Sequence, residues 1–356
     1  MEAMLLAEYE VDNINSQREP YAPPTRRVYD FDAADPLEIV QFFRMKREDI
    51  DRLAIALGVE DWIPIGRRCS GRKGLYILLS RLAYPKRLVD LAHFWGRGHG
   101  VSFLSDVCNY MVDWIYSKFS KMMFCDPLRL APMLPAFCDA ISAKGMPQAG
   151  IYGFMDVTTV GTCRPSKLQR QLYSGHKRKH LLKFQSVVTP DGIMSHAYGP
   201  MEGRRTDIWT LACSGLEPYI DAHFGAAAAN RRIYADGGYT MSSNIFCPYR
   251  DPERGGEEQE YNTAMSTGRI TVEWGYMLVK RYFAYLDFSK SNKIFRSPVA
   301  QIVHVAVFLM NCKTCLEGGN MTSEYFGMNP PDINDFLRPN TDFPDDAPTA
   351  SSGYVV

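Results

Sequence analysis

Three acidic residues, each at a defined point of a predicted element, most constrain what this chain can fold into. Asp156 ends an apolar run that predicts a short buried strand, and Asp236 ends a second such run, which two glycines break at once. Glu273 lies near the start of segment 270–288, which has the apolar spacing of an amphipathic helix. If the two strands are neighbours in one sheet, their ends bring both aspartates together, and a helix packed on that sheet presents the glutamate.

Three carboxylates at one point are a donor set for hard divalent cations. Mg²⁺ prefers oxygen ligands and keeps much of its water, so two or three carboxylates suffice. Cleavage of a phosphodiester by two metals needs ions about 4 Å apart that hold both the attacking and the leaving oxygen. We therefore predict Asp156, Asp236 and Glu273 as catalytic residues and as the ligands of Mg²⁺ or Mn²⁺.

Net charge indicates no partner, because 40 basic and 40 acidic residues cancel in a chain of 356 residues. The charges are segregated locally, however. Residues 157–190 contain no Asp or Glu, and we predict that cations within and beyond this stretch contact DNA phosphate. These predicted DNA-binding residues are Arg164, His176, Lys177, Arg178, Lys179, Lys183 and, about two helical turns beyond Glu273, Lys280. The alternative for the run 176–180 is a solvated loop.

The nine cysteines are an odd number without regular short spacing, which argues against a disulfide scaffold and favours a reducing compartment. Cys312 and Cys315 form a C-x-x-C at the end of an apolar run, where buried packing is the expected role and zinc or redox use the alternative. The N-terminus lacks the apolar run of a secretory signal, and no uninterrupted apolar stretch is long enough to span a membrane. We therefore expect an intracellular protein that does not associate with a membrane.

The pattern along the chain predicts five parts. These are a flexible N-terminal segment (1–35), a helical unit (36–125), a connection (126–149), an α/β domain (150–317) and a loosely ordered tail (318–356). Within the helical unit, glycines between two helices outline a helix-turn-helix flanked by Arg87, Arg97 and His99. A plain helical bundle that supports the next domain is the alternative reading.

The sequence pattern of the α/β domain predicts a mixed sheet with flanking helices. A hairpin follows the first strand, with Thr189-Pro190-Asp191-Gly192 as its turn, then a helix from Asp207 returns the chain to the Asp236 strand. Two further helices, 257–266 and 270–288, would carry Glu273 in the first turns of the second. Strand, hairpin, helix, strand, helix is the order of the ribonuclease H fold.

Several segments resemble, in the same order, the DDE-type endonuclease domain of PIF/Harbinger transposases and their domesticated relatives. They are GFMDVTTVGTCRPSKLQRQLYSGHKRKHLLKFQSVVTPDG, GPMEGRRTD, YADGGY, YNTAMSTGRITVEWGY and YFAYLDF. The resemblance covers roughly Met146 to Cys315, and it places the family's catalytic triad on Asp156, Asp236 and Glu273. The family usually has Gly where this chain has Val157, and His where it has Thr206. Neither departure removes a predicted ligand, although both leave room for a chain that has lost activity.

The resemblance implies a metal-dependent nuclease that cuts DNA and then joins the 3′-hydroxyl to target DNA. It also implies nuclear location, with the cytoplasm as a second location, and a Myb-like DNA-binding partner; a homo-oligomer is left open. The alternative is a catalytically inactive domesticated transposase that binds DNA or protein, and a ribonuclease or phosphatase on the same scaffold is a third reading. For Asp207, a helix cap or ion-pair partner is expected, and a supporting metal ligand is the alternative.

Overall fold

The computed structural model describes residues 28–64, 69–96, 98–343, 345 and 347–348. The predicted N-terminal segment as far as residue 27, Arg97 of the predicted helix-turn-helix and residues 349–356 of the predicted tail lie outside the described residues.

A mixed sheet forms the centre of the α/β part. Its strands are β1 (Ile151–Gly161), β2 (Tyr173–Ser174), β3 (Lys179–Val188), β4 (Met194–Glu202), β5 (Arg232–Tyr234) and β6 (Ile245–Phe246). The order across the sheet is β4-β3-β1-β5-β6, and β2 pairs with the first residues of β3. Strand β3 is antiparallel to both β1 and β4, whereas β5 runs parallel to β1 and β6 parallel to β5. The predicted mixed α/β fold is confirmed.

The turn between β3 and β4 is held by hydrogen bonds of its own side chains. Thr189 Oγ1 donates to Asp191 Oδ1 across 2.6 Å, and the Ile193 amide donates to the same carboxylate oxygen across 3.3 Å. Asp191 is buried and pairs with Arg129 at 2.8 Å. Because the turn chemistry and the strand pairing agree, the predicted hairpin is confirmed.

Helices cover most of the rest of the described chain. The first group is α1 (Pro36–Phe43), α2 (Arg47–Leu57), α3 (Gly71–Ala83), α4 (Leu88–Trp95), α5 (Val101–Phe119), α6 (Pro127–Leu130) and α7 (Leu134–Ser142). The second group is α8 (Gln169–Leu172), α9 (Asp207–Ser214), α10 (Leu216–His223), α11 (Glu257–Tyr282), α12 (Val299–Glu317), α13 (Met321–Phe326) and α14 (Ile333–Phe336).

Helix α11 is one continuous helix, so the prediction of two helices broken near residue 268 was wrong. Gly268 stays helical because tertiary packing outweighs its low propensity: a Cβ there would lie 2.1 Å from Met146 Cε and 2.9 Å from Phe154 Cζ. A Cβ on Gly275, two turns later, would lie 3.0 Å from Val188 Cγ2. Because glycine has no side chain, α11 can lie directly on the sheet at these two positions. Since α11 is continuous, Glu273 lies well inside the helix instead of in its first turns.

Two segments predicted without regular structure are ordered. The predicted connection 126–149 contains α6 and α7, and α7 packs against β1. The predicted tail contains α13 and α14, whose Phe326, Ile333 and Phe336 are buried in the main core. Some of the prolines and polar residues that suggested loose order lie at helix starts, such as Pro127 in the first turn of α6 and Asn320 at the N-cap of α13.

Helices α1 to α5 share a continuous hydrophobic core with the sheet. That core joins Ile39 and Leu79 of the helical part to Phe154 of β1 and Phe308 of α12. Residue His99, predicted to flank a DNA-reading turn, is only 7% exposed and lies between the rings of Trp95 and Phe103. Arg87 is exposed and pairs with Asp90 at 3.0 Å. The packing favours a supporting role, and the helix-turn-helix stays a prediction.

Helix α12 is long and apolar enough to cross a membrane by length and composition, the one such helix among the residues that the structure describes. However, 89% of that stretch is buried inside the protein, as expected of a core helix. Cys312 and Cys315 lie in its buried part, and burial raises the pKa of both thiols above their usual value. Protonated thiols in a core favour packing over metal or redox chemistry.

Candidate active site

Asp156 lies in the middle of β1. The prediction that it ends the strand was wrong, because β1 continues through Val157-Thr158-Thr159-Val160 to Gly161, a β-branched run that favours extended chain. Opposite Asp156 on β3 is Ser186. Since successive side chains alternate between the faces of a strand, Asp156 and Val157 point to opposite sides of the sheet. Val157 packs against a hydrophobic cluster, so its side chain faces core and leaves the side of Asp156 free.

Asp236 lies level with Asp156 on the neighbouring chain segment. Phe154 of β1 is paired with Tyr234 of β5 in parallel register, and each aspartate follows two residues later. The chain stays extended beyond Tyr234, because the Ala235 amide donates to Phe246 of β6. Adjacent strands are about 4.8 Å apart, so the two aspartates are close neighbours on one face. The Gly238 amide donates to Asp236 Oδ1 across 2.9 Å and orients the carboxylate.

Glu273 approaches the same region from α11, which packs on β1 and β3. Its side chain is about half exposed, and Arg269, one turn earlier, donates to Glu273 Oε1 across 3.2 Å.

The pKa of Asp156 reports that these groups share one electrostatic environment. This pKa is raised from 3.8 to about 6; burial is the largest cause, and the charges of Asp236 and Glu273 act in the same direction. The Val157 amide and the charge of Arg269 act in the opposite direction. The structure thus brings the three predicted acidic residues together; that they are catalytic stays a prediction.

Asp207 is a fourth carboxylate beside the cluster. It occupies the first position of α9, whose N-cap is Thr206, with the Thr206 hydroxyl accepting from the Trp209 amide across 3.2 Å. Lys183 Nζ pairs with Asp207 Oδ1 at 2.9 Å. Its other oxygen lies 3.4 Å from the point that a Cβ on Gly238 would occupy, and Asp236 Oδ1 lies 3.0 Å from the same point. The expected ion pair is present, and it lies next to Asp236, which follows β5.

A buried tyrosine lies beneath these carboxylates. The Tyr239 hydroxyl donates to Gln185 Oε1 across 3.4 Å, and burial, with the charges of Asp207, Asp156 and Asp236, raises its pKa well above the usual value. Sequence reasoning missed both Tyr239 and Arg269. The spacing of four residues between Arg269 and Glu273 on one helix was a signal that could have found the second.

The donor chemistry of the predicted ligands fits Mg²⁺ or Mn²⁺, since Asp156, Asp236 and Glu273 all offer carboxylate oxygens. Within the described part of the chain, however, no three His, Cys, Asp or Glu side chains stand close enough to hold an ion as they are oriented. Arg269 and Lys183 instead neutralise Glu273 and Asp207. A cation would therefore need these side chains to turn toward it.

The predicted DNA-binding residues fall into two groups. Arg164 and residues 176–179 are exposed; residues 176–178 lie in the turn between β2 and β3, and Lys179 begins β3. Lys183 and Lys280 are mostly buried; Lys280 Nζ donates to the Thr159 carbonyl across 3.1 Å and lies 3.5 Å from Asp287. The exposed turn lies beyond the Gly161 end of β1, and Gly161 itself is about 17 Å along the strand from Asp156 at 3.3 Å per residue.

Comparison with known proteins gives one match. Residues 155–311, from β1 into α12, match the family described as DDE superfamily endonuclease. No curated protein and no solved structure is significantly similar to the chain. The match shows that this part of the chain is similar to DDE-type endonuclease domains. A domain of that kind implies DNA as the substrate and suggests a transposase-like nuclease. Nucleases of this superfamily generally use divalent metals.

Proposed function

We propose that the chain is a divalent-metal-dependent DNA endonuclease of the PIF/Harbinger transposase type with a ribonuclease H-like fold. The strand order β4-β3-β1-β5-β6, with β1, β5 and β6 parallel and β3 antiparallel, is the arrangement expected of that fold and supports the proposal. The observation that carries the function is the meeting of Asp156, Asp236 and Glu273 in one electrostatic environment on the sheet face.

In the proposed mechanism, Asp156, Asp236 and Glu273 hold Mg²⁺ or Mn²⁺. When bound, the ions supply Lewis-acid catalysis for in-line displacement at phosphorus. Asp156 must lose its proton first, which happens above a pKa of about 6. Glu273 must exchange its pairing with Arg269 for the cation, and the freed guanidinium then lies beside the site, where it suits a phosphate oxygen. The exposed turn 176–179 and Arg164 bind the DNA backbone farther along the sheet.

The test is the nicking of supercoiled plasmid and of duplexes that carry candidate terminal repeats, with Mg²⁺ or Mn²⁺. Asp156→Asn is expected to lower the rate at least about 100-fold, since it removes a charged ligand without changing shape. Asp139→Asn, at an exposed aspartate of α7, is the matched control and is expected to cut like the wild type. Full metal-dependent cutting by Asp156→Asn would remove the catalytic assignment.

A second candidate is a catalytically inactive, domesticated transposase that binds DNA or protein. The two ion pairs that neutralise Glu273 and Asp207 are the observation that favours it, since a protein that never binds metal needs such counter-ions. The departures Val157 and Thr206 do not favour it, because Val157 faces core and Thr206 caps α9. Titration calorimetry with Mn²⁺ separates the two: no binding at millimolar metal would support the inactive protein.

Nuclear location is part of the proposal because DNA is the proposed substrate. A Myb-like partner is part of it only because the resemblance to PIF/Harbinger transposases implies one. Co-purification of such a partner from cells that express the tagged chain, with Asp156→Asn as the bait to prevent cutting, would test the second.

A further inference from the structure

A cavity of about 130 Å³ lies between the helical part and the start of α12, away from the acidic cluster. Its lining combines α3, α5, the 3-10 turn Ala284–Asp287 and the residues that lead into α12. The polar side chains that line it are Arg81, Ser105, Asn109, Tyr285, Arg296 and Ser297. No Asp or Glu is among the described lining residues.

The two arginines give this cavity an uncompensated positive charge. Among the residues that the structure describes, no carboxylate oxygen lies within 4.0 Å of either guanidinium. Two like charges around one cavity repel each other, and that repulsion is relieved by an anion between them. Most other arginines near the core do have an acidic partner, as Arg129 has Asp191 and Arg338 has Asp126.

Arg81 is held in place for such a role. Its guanidinium lies over the ring of Tyr285, 4.6 Å from the centroid, and one of its nitrogens donates to the Lys86 carbonyl. Stacking and a backbone contact fix a long side chain, so less conformational entropy is lost when the remaining N–H groups bind a ligand. Arg296 is exposed and can move over the cavity from the solvent side.

The start of α12 adds to the positive potential. Ser297 and Pro298 line the cavity, Pro298 is the N-cap, and the first turn of this 19-residue helix contains neither an acidic residue nor a side-chain cap. Helix N-termini carry a partial positive charge that favours anions. Ser105, Asn109 and Ser297 supply neutral donors around the same space.

We propose that this cavity binds a phosphate group. Guanidinium forks match the oxygens of phosphate in a bidentate manner, and the volume far exceeds the 10–15 Å³ that one water needs. The phosphate comes either from the DNA backbone or from a free phosphorylated ion. This cavity is separate from the acidic cluster, so phosphate binding here does not depend on the proposed metal site.

Inorganic phosphate is the first probe, titrated by calorimetry in a low-chloride buffer at pH 8. The wild type is expected to bind, with sulfate as a competitor, and Arg296→Gln is expected to weaken binding about tenfold or more, the usual cost of a lost charge-assisted pair. Arg81→Gln should do the same, provided that far-UV circular dichroism shows an intact fold, since Arg81 also packs on Tyr285. Arg254→Gln, an exposed arginine in the turn before α11, is the control of equal charge.

Duplex DNA, followed by fluorescence anisotropy at several salt concentrations, identifies the source of the phosphate. If Arg296→Gln also weakens DNA binding and lowers the salt slope by about 1, the phosphate belongs to the DNA backbone. If DNA binding is unchanged while phosphate binding is lost, the ligand is a free anion. Phosphate binding that is absent in the wild type, or equally strong in Arg81→Gln, Arg296→Gln and Arg254→Gln, would overturn the proposal.

Discussion

Asp207 and Asp236 meet at Gly238: the point where a Cβ of this glycine would stand is 3.4 Å from Asp207 Oδ2 and 3.0 Å from Asp236 Oδ1. The two carboxylates come from different elements, one from the start of α9 and the other from the loop after β5. The missing side chain of Gly238 therefore keeps open the space between them.

Gly238→Ala is expected to lower Mn²⁺ affinity about tenfold or more, because the methyl group would push Asp236 away from Asp156. The free energy of unfolding should change by less than about 1 kcal/mol, since Gly238 is exposed and the atoms that it meets belong to side chains. Calorimetric titration with Mn²⁺ and urea unfolding measure the two effects. Gly237→Ala is the matched control, because its methyl group would meet only Pro248 Cγ at 3.7 Å, an ordinary contact.

The raised pKa of Asp156 makes the stability of the metal-free protein depend on pH. The pKa of Asp156 is about 6 in the folded protein and 3.8 in the unfolded chain. Its contribution to the free energy of unfolding is therefore fully present below pH 3.8 and is lost as pH rises through about 6. Between pH 5 and pH 7.5 the free energy of unfolding of the wild type should fall by about 1–2 kcal/mol more than that of Asp156→Asn. Urea unfolding in EDTA at both values, with Asp139→Asn as control, measures it; equal losses in all three proteins would contradict the shift.

In the proposed mechanism, Arg269 competes with a metal ion for Glu273. Arg269→Gln removes both the 3.2 Å ion pair and a positive charge that acts on Asp156, so Mn²⁺ should bind several-fold more tightly at pH 8. Near pH 6 this gain should shrink, because the lost charge also lets the pKa of Asp156 rise and protons then compete with the metal. Arg281→Gln, exposed on the same helix, is the control. Weaker binding at pH 8 would instead make Arg269 a residue that positions Glu273.

The sequence predicts the members of the acidic cluster better than the elements that carry them. The apolar runs that precede Asp156 and Asp236 were correctly predicted as neighbouring parallel strands, because apolar runs favour buried strands and a right-handed crossover lays the second strand beside the first. The full length of β1 was missed although its β-branched residues favour a strand. The ion pair of Lys183 with Asp207 joins residues from different elements, and no periodicity in the sequence predicts such a contact.

Gly268 shows why the helix carrying Glu273 was misread. Glycine lowers helix propensity by about 1 kcal/mol, so a break was the reasonable prediction from local rules. The close approach of Met146 and Phe154 decides otherwise, and only the folded structure contains that contact.

Gly268→Ala should therefore destabilise the protein, although alanine is the better helix former. The added methyl group would overlap Met146 and Phe154, and such overpacking costs about 1–3 kcal/mol. Urea unfolding measures the change, and Thr267→Ala at the exposed neighbouring position is the control, expected to be neutral or slightly stabilising. A gain in stability for Gly268→Ala would mean that α11 does not lie directly on the sheet.

The exposed turn between β2 and β3 is expected to bind DNA through charge alone. Its cations lie more than about 17 Å along the strand from Asp156, too far to take part in cleavage but on the path of a duplex laid across the site. A triple change of Lys177, Arg178 and Lys179 to Gln should weaken the binding of unrelated duplexes equally and lower the salt slope by about 2–3, since each lost phosphate contact removes about 0.9. Anisotropy titrations between 50 and about 200 mM salt measure the slope.

The control for this turn is a triple change of the exposed cations Lys46, Lys144 and Arg254, which alters net charge by the same amount elsewhere on the surface. If both triple variants lower the salt slope equally, DNA binding depends on total charge, and the turn makes no specific contact with the DNA backbone. If only the turn variant lowers the salt slope, the turn binds the DNA backbone. Its cutting rate at saturating DNA should then stay near that of the wild type, because a loss of ground-state binding alone leaves kcat unchanged. That result would assign binding to the turn and the chemistry to the carboxylates on the sheet.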